Sequence, residues 1–115
     1  MDNYKLIEIY IEEKYFDKLY GLLMKNPDYR IVVQYEEYLK KDYEEQLLKF
    51  YAKVAGRQAE YTGRNNYEIL RQMLEHMKKL KGGKELVDKM VENYKVKYSN
   101  RRVMMEELNK IEKEK

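Results

Sequence analysis

The chain has 115 residues, with 24 Lys or Arg against 21 Asp or Glu for a net charge of +3; it contains no cysteine, no tryptophan, one proline, five glycines and thirteen tyrosines. This length holds one domain or a piece of a larger protein. The missing cysteines exclude a disulfide framework and any Cys-based zinc or iron–sulfur site, and no apolar run approaches the ~20 residues needed to cross a bilayer. Without tyrosine the apolar residues number only 37 of 115, so phenol rings must build part of the core.

Helical periodicity runs through the chain. Over 3–13, Leu6, Ile7, Tyr10 and Ile11 share one helical face. The alternation Ile7-x-Ile9-x-Ile11 also permits a strand, but Glu8, Glu12 and Glu13 occupy the opposite face and no partner strand follows. The segment 15–25 carries Phe16, Leu19, Tyr20, Leu23 and Met24 on one face, with Gly21 inside it. A mid-helix glycine costs about 1 kcal/mol relative to alanine, which predicts close packing at that point. Asn26-Pro27 ends the helix, because the residue before a proline disfavours the helical region. Asp28 opens a third segment, in which Ile31, Val32, Tyr35, Tyr38 and Leu39 continue the pattern to about residue 41.

Asp42 then reads as the N-cap of a longer helix, with Glu44 and Glu45 at its positive end. Leu47, Leu48, Tyr51, Val54 and Ala55 form its stripe, Ala52, Ala55 and Ala59 offer a narrow face, and Thr62-Gly63 closes it. Asn65 or Asn66 is the expected cap of the next helix, marked by Tyr67, Leu70, Leu74 and Met77. Gly82-Gly83 breaks the chain before the stripe Leu86, Val87, Met90, Val91, Tyr94 and Tyr98. Ser99-Asn100 is expected to cap a last helix bearing Val103, Met104, Leu108 and Ile111. The fold expected is all-α: about seven antiparallel helices in a single helical-repeat domain over 1–115. The pair boundaries near Pro27, Gly63 and Asn100 recur at intervals of about 36 and 37, which favours a right-handed, tetratricopeptide-like stack of helix pairs. A closed bundle is the alternative.

Catalytic chemistry finds little support in the residues. His76 is the sole histidine and has no second imidazole or thiol to complete a zinc set. Lys81-Gly82-Gly83-Lys84 lacks the spacing, the Lys-Ser/Thr ending and the preceding strand of a phosphate loop, and reads as a turn between helices. The carboxylate doublets Glu12-Glu13, Glu36-Glu37, Glu44-Glu45 and Glu106-Glu107 point ~100° apart on a helix and do not converge. No metal, no cofactor and no enzyme activity are expected.

Charge is unevenly spread, with −2 over residues 1–60 and +5 over 61–115. A basic C-terminal half allows contact with nucleic acid. Its lysines nevertheless alternate with acids, as in Lys84-Glu85, Asp88-Lys89 and Glu112-Lys113-Glu114-Lys115, the pattern of a solvated helix face. The opening MDNYKLIEIYIEE has an acid at position 2 and no basic stretch ahead of an apolar one, so it is not a signal peptide. The expected location is the cytoplasm.

Most tyrosines, including Tyr10, Tyr20, Tyr35, Tyr51, Tyr94 and Tyr98, fall on apolar stripes and read as core residues with a polar outlet. Two groups could instead form an aromatic and arginine surface for a peptide or for bases: Arg57, Tyr61, Arg64 and Tyr67 around one turn, and Tyr98, Arg101 and Arg102 around another. The competing reading has these arginines capping helix ends and pairing with glutamates.

The succession Asn26-Pro27, Leu47-Leu48-x-x-Tyr51, Arg64-x-x-Tyr67, Gly82-Gly83 and Tyr98-x-x-Arg101-Arg102 ending in Glu107-Leu108 resembles the helical C-terminal region of bacterial SWIM-type zinc finger proteins, over roughly residues 4–111. The resemblance implies a separated C-terminal region of a longer protein. The CxCx(n)CxH finger of that family lies upstream and is associated with DNA or protein binding; with no cysteine here, zinc binding does not carry over to this segment. The function expected is a non-enzymatic helical-repeat module for protein contact or scaffolding, the alternative being accessory nucleic-acid binding through the basic half. A protein partner is expected and no membrane.

Overall fold

The computed structural model describes residues 3–113, so the acid at position 2 and the Glu114-Lys115 end of the charge alternation lie outside the described residues. Seven helices and no strand occur among them: α1 (Asn3–Glu12), α2 (Phe16–Lys25), α3 (Tyr29–Gln34), α4 (Glu36–Gln58), α5 (Arg64–Met77), α6 (Gly83–Lys97) and α7 (Arg102–Lys113). The all-α expectation holds, and the isoleucine alternation over 7–11 is helical. The chain forms two compact units, residues 1–47 and 48–115, with α4 contributing to each.

In the first unit α1 packs on α2, and Ile7, Leu19, Leu23, Val32, Leu39 and Leu47 supply the buried side chains. The end of α1 carries Lys14 at φ 58°, the left-handed conformation usually given to glycine. The Lys14 N–H donates to the Ile11 carbonyl at 3.1 Å and the Tyr15 N–H to the Tyr10 carbonyl at 2.8 Å, which satisfy two of the last carbonyls of α1. Asp28 caps α3 as its sequence position indicated, its Oδ1 accepting from the Arg30 N–H at 3.0 Å. The third segment, expected to run to about residue 41, breaks at Tyr35, and α4 starts at Glu36 and runs through Asp42, which is therefore not its N-cap; helical geometry is lost only at Tyr43 (φ −127°, ψ 21°). The Tyr43 ring there lies flat on Tyr20 of α2, with centroids 4.0 Å apart and planes 5° from parallel.

In the second unit α5 packs on both α6 and α7. Its core includes Tyr51 and Ala55 of α4, Ala59 just past its end, Leu70, Leu74 and Met77 of α5, Val87 and Val91 of α6, and Met104, Leu108 and Ile111 of α7. Of the narrow face expected from Ala52, Ala55 and Ala59, the last two are buried and Ala52 is half-buried. The cap of α5 differs from expectation: Gly63, at φ 107°, holds the N-cap position. Asn66 instead closes the preceding turn, donating to the Thr62 carbonyl at 2.9 Å while Gln58 Nε2 donates to the Asn66 carbonyl at 3.0 Å. Ser99 and Asn100 belong to the α6–α7 turn rather than to the cap, since α7 starts at Arg102 and the Met105 N–H donates to the Arg101 carbonyl at 3.0 Å.

Two glycines fare oppositely. A Cβ on Gly83 would stand 1.8 Å from the backbone oxygen of Met77, so only glycine allows α6 to start against the end of α5. Around Gly21 a Cβ would meet nothing within 4 Å, so the close packing expected there is absent. Gly83→Ala should therefore lower unfolding stability by about 3 kcal/mol or more, whereas Gly21→Ala should raise it by about 0.5–1 kcal/mol. Urea denaturation followed by far-ultraviolet circular dichroism measures both, and a Gly83→Ala protein as stable as the parent would contradict the tight turn.

Candidate functional site

The residues singled out from sequence all lie in the second unit, and the structure brings their two groups to one end of it. Arg101 Nη1 donates to the carbonyl of Ala59, just past the end of α4, at 2.9 Å. Its guanidinium lies over the Tyr98 ring, 4.2 Å from the centroid. The α4–α5 and α6–α7 turns therefore meet at a capping arginine, as the structural reading of these arginines requires. Arg64 approaches Glu106 of α7 at 4.0 Å, an exposed pair worth little.

The phenols of the two groups part company. Tyr67 and Tyr98 are only 6% and 7% exposed and pack in the core, so neither presents a ring face to a base or a peptide. Tyr61 is 61% exposed in the turn between α4 and α5. With Arg57, Arg64 and Arg102, all exposed, it makes up the accessible part of the sequence-derived site.

Beneath this end lies a polar cluster that sequence reasoning passed over. Glu107 is 1% exposed. Arg71 Nε donates to its Oε1 at 2.7 Å and Lys110 Nζ to its Oε2 at 2.8 Å, while Arg71 Nη1 also pairs with Glu75. Burial alone would push the Glu107 carboxyl up, but the hydrogen bonds from Lys110 and Arg71 outweigh it and hold the group below its ordinary value. The same bond to Glu107, with the charge of Glu75, raises the Arg71 guanidinium. A signal existed in the sequence: Met104, Glu107, Leu108 and Ile111 follow the spacing of a buried stripe, and an acid on such a stripe needs a cation from the facing helix. A carboxylate sealed and engaged at both oxygens has no route to a substrate, so Glu107 supplies structure rather than acid–base chemistry.

His76 packs its ring edge-to-face on Tyr51 at 5.6 Å, and among the described residues no three His, Cys, Asp or Glu are placed to hold a metal ion.

The first unit holds an open groove of about 650 Å³, which periodicity did not reveal. Tyr4 and Ile7 of α1, Leu22 and Leu23 of α2 and Ile31 of α3 line it, with Lys25 and Asp28 at its polar edge. Tyr4 is 60% exposed there. Helices α1, α2 and α3 all contribute to its lining, and its size falls in the range of small-ligand pockets.

No family model matches the chain, and neither a curated protein nor a solved structure matches it.

Two tests address the polar cluster and its neighbourhood. Glu107→Gln should cost about 3 kcal/mol at pH 7, at the low end for a broken buried pair because Arg71 keeps Glu75. A lowered carboxyl contributes stability above its unfolded pKa and loses it as pH falls through the folded one, so urea midpoints of parent and variant should converge as pH falls below the ordinary carboxylate range. For Tyr94, burial and the neighbouring Tyr98 push the phenol up to about 12. That stabilisation is present below the unfolded value and is lost as pH rises toward about 12, so Tyr94→Phe should lose less stability than the parent between about pH 10 and 12.

Proposed function

We propose that this chain is a non-enzymatic helical module that binds a protein partner, and that it serves as the accessory helical region of a SWIM-type zinc finger protein. The observation that carries the first part is the groove of the first unit: an apolar floor, a polar edge and an exposed tyrosine at its mouth. Interfaces depend on a few aromatic and apolar anchors in a pocket rather than on total area, and tyrosine is prominent among them. The further exposed apolar residues Ile9, Tyr15 and Tyr38 of the same unit extend the surface open to a partner. The sealing of Glu107 supports a binding rather than a catalytic role.

A repeat architecture is part of the same proposal. Helix α5 lies against both α6 and α7, as a helix pair followed by a capping helix requires. The assignment to a SWIM-type protein rests on the likeness of residues 4–111 to that family's C-terminal region. A cytoplasmic location accords with the absence of cysteine.

Tyr4→Arg leaves the buried residues untouched and places a charge in the groove. In cells, crosslinking with the full protein should recover partners that Tyr4→Arg and deletion of residues 1–115 both lose; an unchanged set would refute the interaction reading. The family assignment has a separate check. A reading frame that encodes a CxCx(n)CxH element upstream of this segment supports it, and one without such an element removes it.

A further inference from the structure

Arginines are few in this chain, and all but Arg30 lie in the second unit, at positions 57, 64, 71, 101 and 102. Two of these are committed to the fold, Arg71 to Glu107 and Glu75, and Arg101 to the Ala59 carbonyl. Of the exposed remainder, Arg64 and Arg102 are brought to one edge.

Two contacts form that edge. Arg101 Nη1 holds the Ala59 carbonyl at 2.9 Å, and Arg64 Nη2 stands 4.0 Å from Glu106 Oε2. The turn 59–64 is thus tied at both ends to residues 101–106, the entry and first turn of α7. On α7, Arg102 and Glu106 are one turn and about 40° apart, on the side opposite buried Met104, Leu108 and Ile111. The carboxylate that Arg64 approaches therefore shares its exposed edge with Arg102. Tyr61 lies within the tied turn and is 61% exposed. Its N–H donates to the Gln58 carbonyl at 3.1 Å, which holds the turn in shape.

The two guanidinium groups are only lightly engaged. At 4.0 Å the Arg64–Glu106 contact is no hydrogen bond, and both side chains are more than half exposed, so the pair holds Arg64 weakly. No hydrogen bond or ion pair engages the Arg102 side chain among the described residues. Each arginine thus keeps its planar fork of donors for a carboxylate from outside. Arg64 and Arg102 are also the first residues of α5 and α7, where the helix dipole disfavours a cation. Helix stability gives no reason for either.

We propose that Arg64, Arg102 and Tyr61 form a docking surface for an acidic segment of a partner protein, whose carboxylate displaces Glu106 from Arg64. The proposal does not rest on the groove of the first unit. Tyrosine and arginine are among the side chains that most often anchor protein interfaces. In the unbound chain Glu106 stands in for the carboxylate of the partner. The acids of the edge also decide against nucleic acid. Glu60 and Glu106 are both exposed there and repel the unbroken charge of a phosphate backbone, whereas a peptide spaces its acids. Tyr67 and Tyr98 are in the core, so Tyr61 alone offers no platform for successive bases.

Nuclear magnetic resonance of the isotope-labelled full chain, titrated with a peptide of alternating glutamate and serine at ~50 mM salt, tests this. Amide shifts should cluster at residues 59–64 and 101–106, with half-saturation below about 1 mM. Arg64→Gln and Arg102→Gln should each weaken binding by about two- to fivefold, and Tyr61→Ala should weaken it as well. Glu106→Gln should tighten it by a similar factor, because the competing carboxylate is gone. Lys89→Gln and Glu92→Gln make the same charge changes on the exposed side of α6 and should leave binding unaltered. All the substituted side chains are exposed, and circular dichroism checks that each variant is folded. Absence of shifts up to ~5 mM peptide overturns the proposal, as do shifts centred elsewhere or α6 variants that act as strongly as those of the edge. So does a duplex of about 20 base pairs that displaces the peptide from these residues. Shifts of the same residues with protein concentration alone would assign the surface to a second copy, and overturn it too. Tyr4→Arg should bind the peptide as the parent does, so the failure of either proposal leaves the other readable.

Discussion

The second unit depends on one buried carboxylate. Glu107 sits on the face that α7 turns inward, between Met104 and Ile111, where a charge without partners would cost several kcal/mol. Arg71 from α5 and Lys110 from α7 itself neutralise it, and Glu75 fixes the far side of the Arg71 guanidinium. The direction of the α5–α7 contact is thereby specified as well as stabilised: hydrophobic residues on both helices could slide by a turn, but a carboxylate that must meet a guanidinium nitrogen at 2.7 Å cannot. The turns at one end of the unit follow from that alignment. Arg101, at the entry to α7, reaches the Ala59 carbonyl only because α7 is held in this register.

The first unit solves a different problem, the weakness of short helices. Its α3 has six residues, too few to be stable without packing. Aromatic rings supply part of that packing. Phe16 stacks near Tyr38 and Tyr20 on Tyr43, so successive turns of α2 meet successive turns of α4 through rings. The loss of helical geometry at Tyr43 coincides with the closer of these stacks. A phenol suits this role because its face packs while its hydroxyl remains satisfied by solvent or by another polar group. The groove beside Tyr4 accords with the small size of this unit, which leaves much of its surface uncovered.

The two units also divide the charge, and with it the kinds of contact each can make. The first is net acidic and exposes aromatic and aliphatic groups around a groove; the second is net basic and exposes lysines along α4 and the α5–α6 turn.

Periodicity showed that the chain is helical throughout, because a 3.6-residue repeat of apolar side chains is a local property of the sequence. Asp28 as a cap and Gly82-Gly83 as a turn were equally legible, each being set by the conformational preferences of a few adjacent residues, but the break at Tyr35 and the continuation of α4 through Asp42 were not. Tertiary packing decided the rest. It put Tyr67 and Tyr98 inside and left Tyr61 out, though all three lie near helix ends and look alike in sequence. It gave Gly83 a role that no alanine could fill and left Gly21 in open space. It turned Arg101 into a cap and buried Glu107 between two cations. Each of these outcomes depends on which groups meet across a long stretch of chain, and a local pattern carries no record of such meetings.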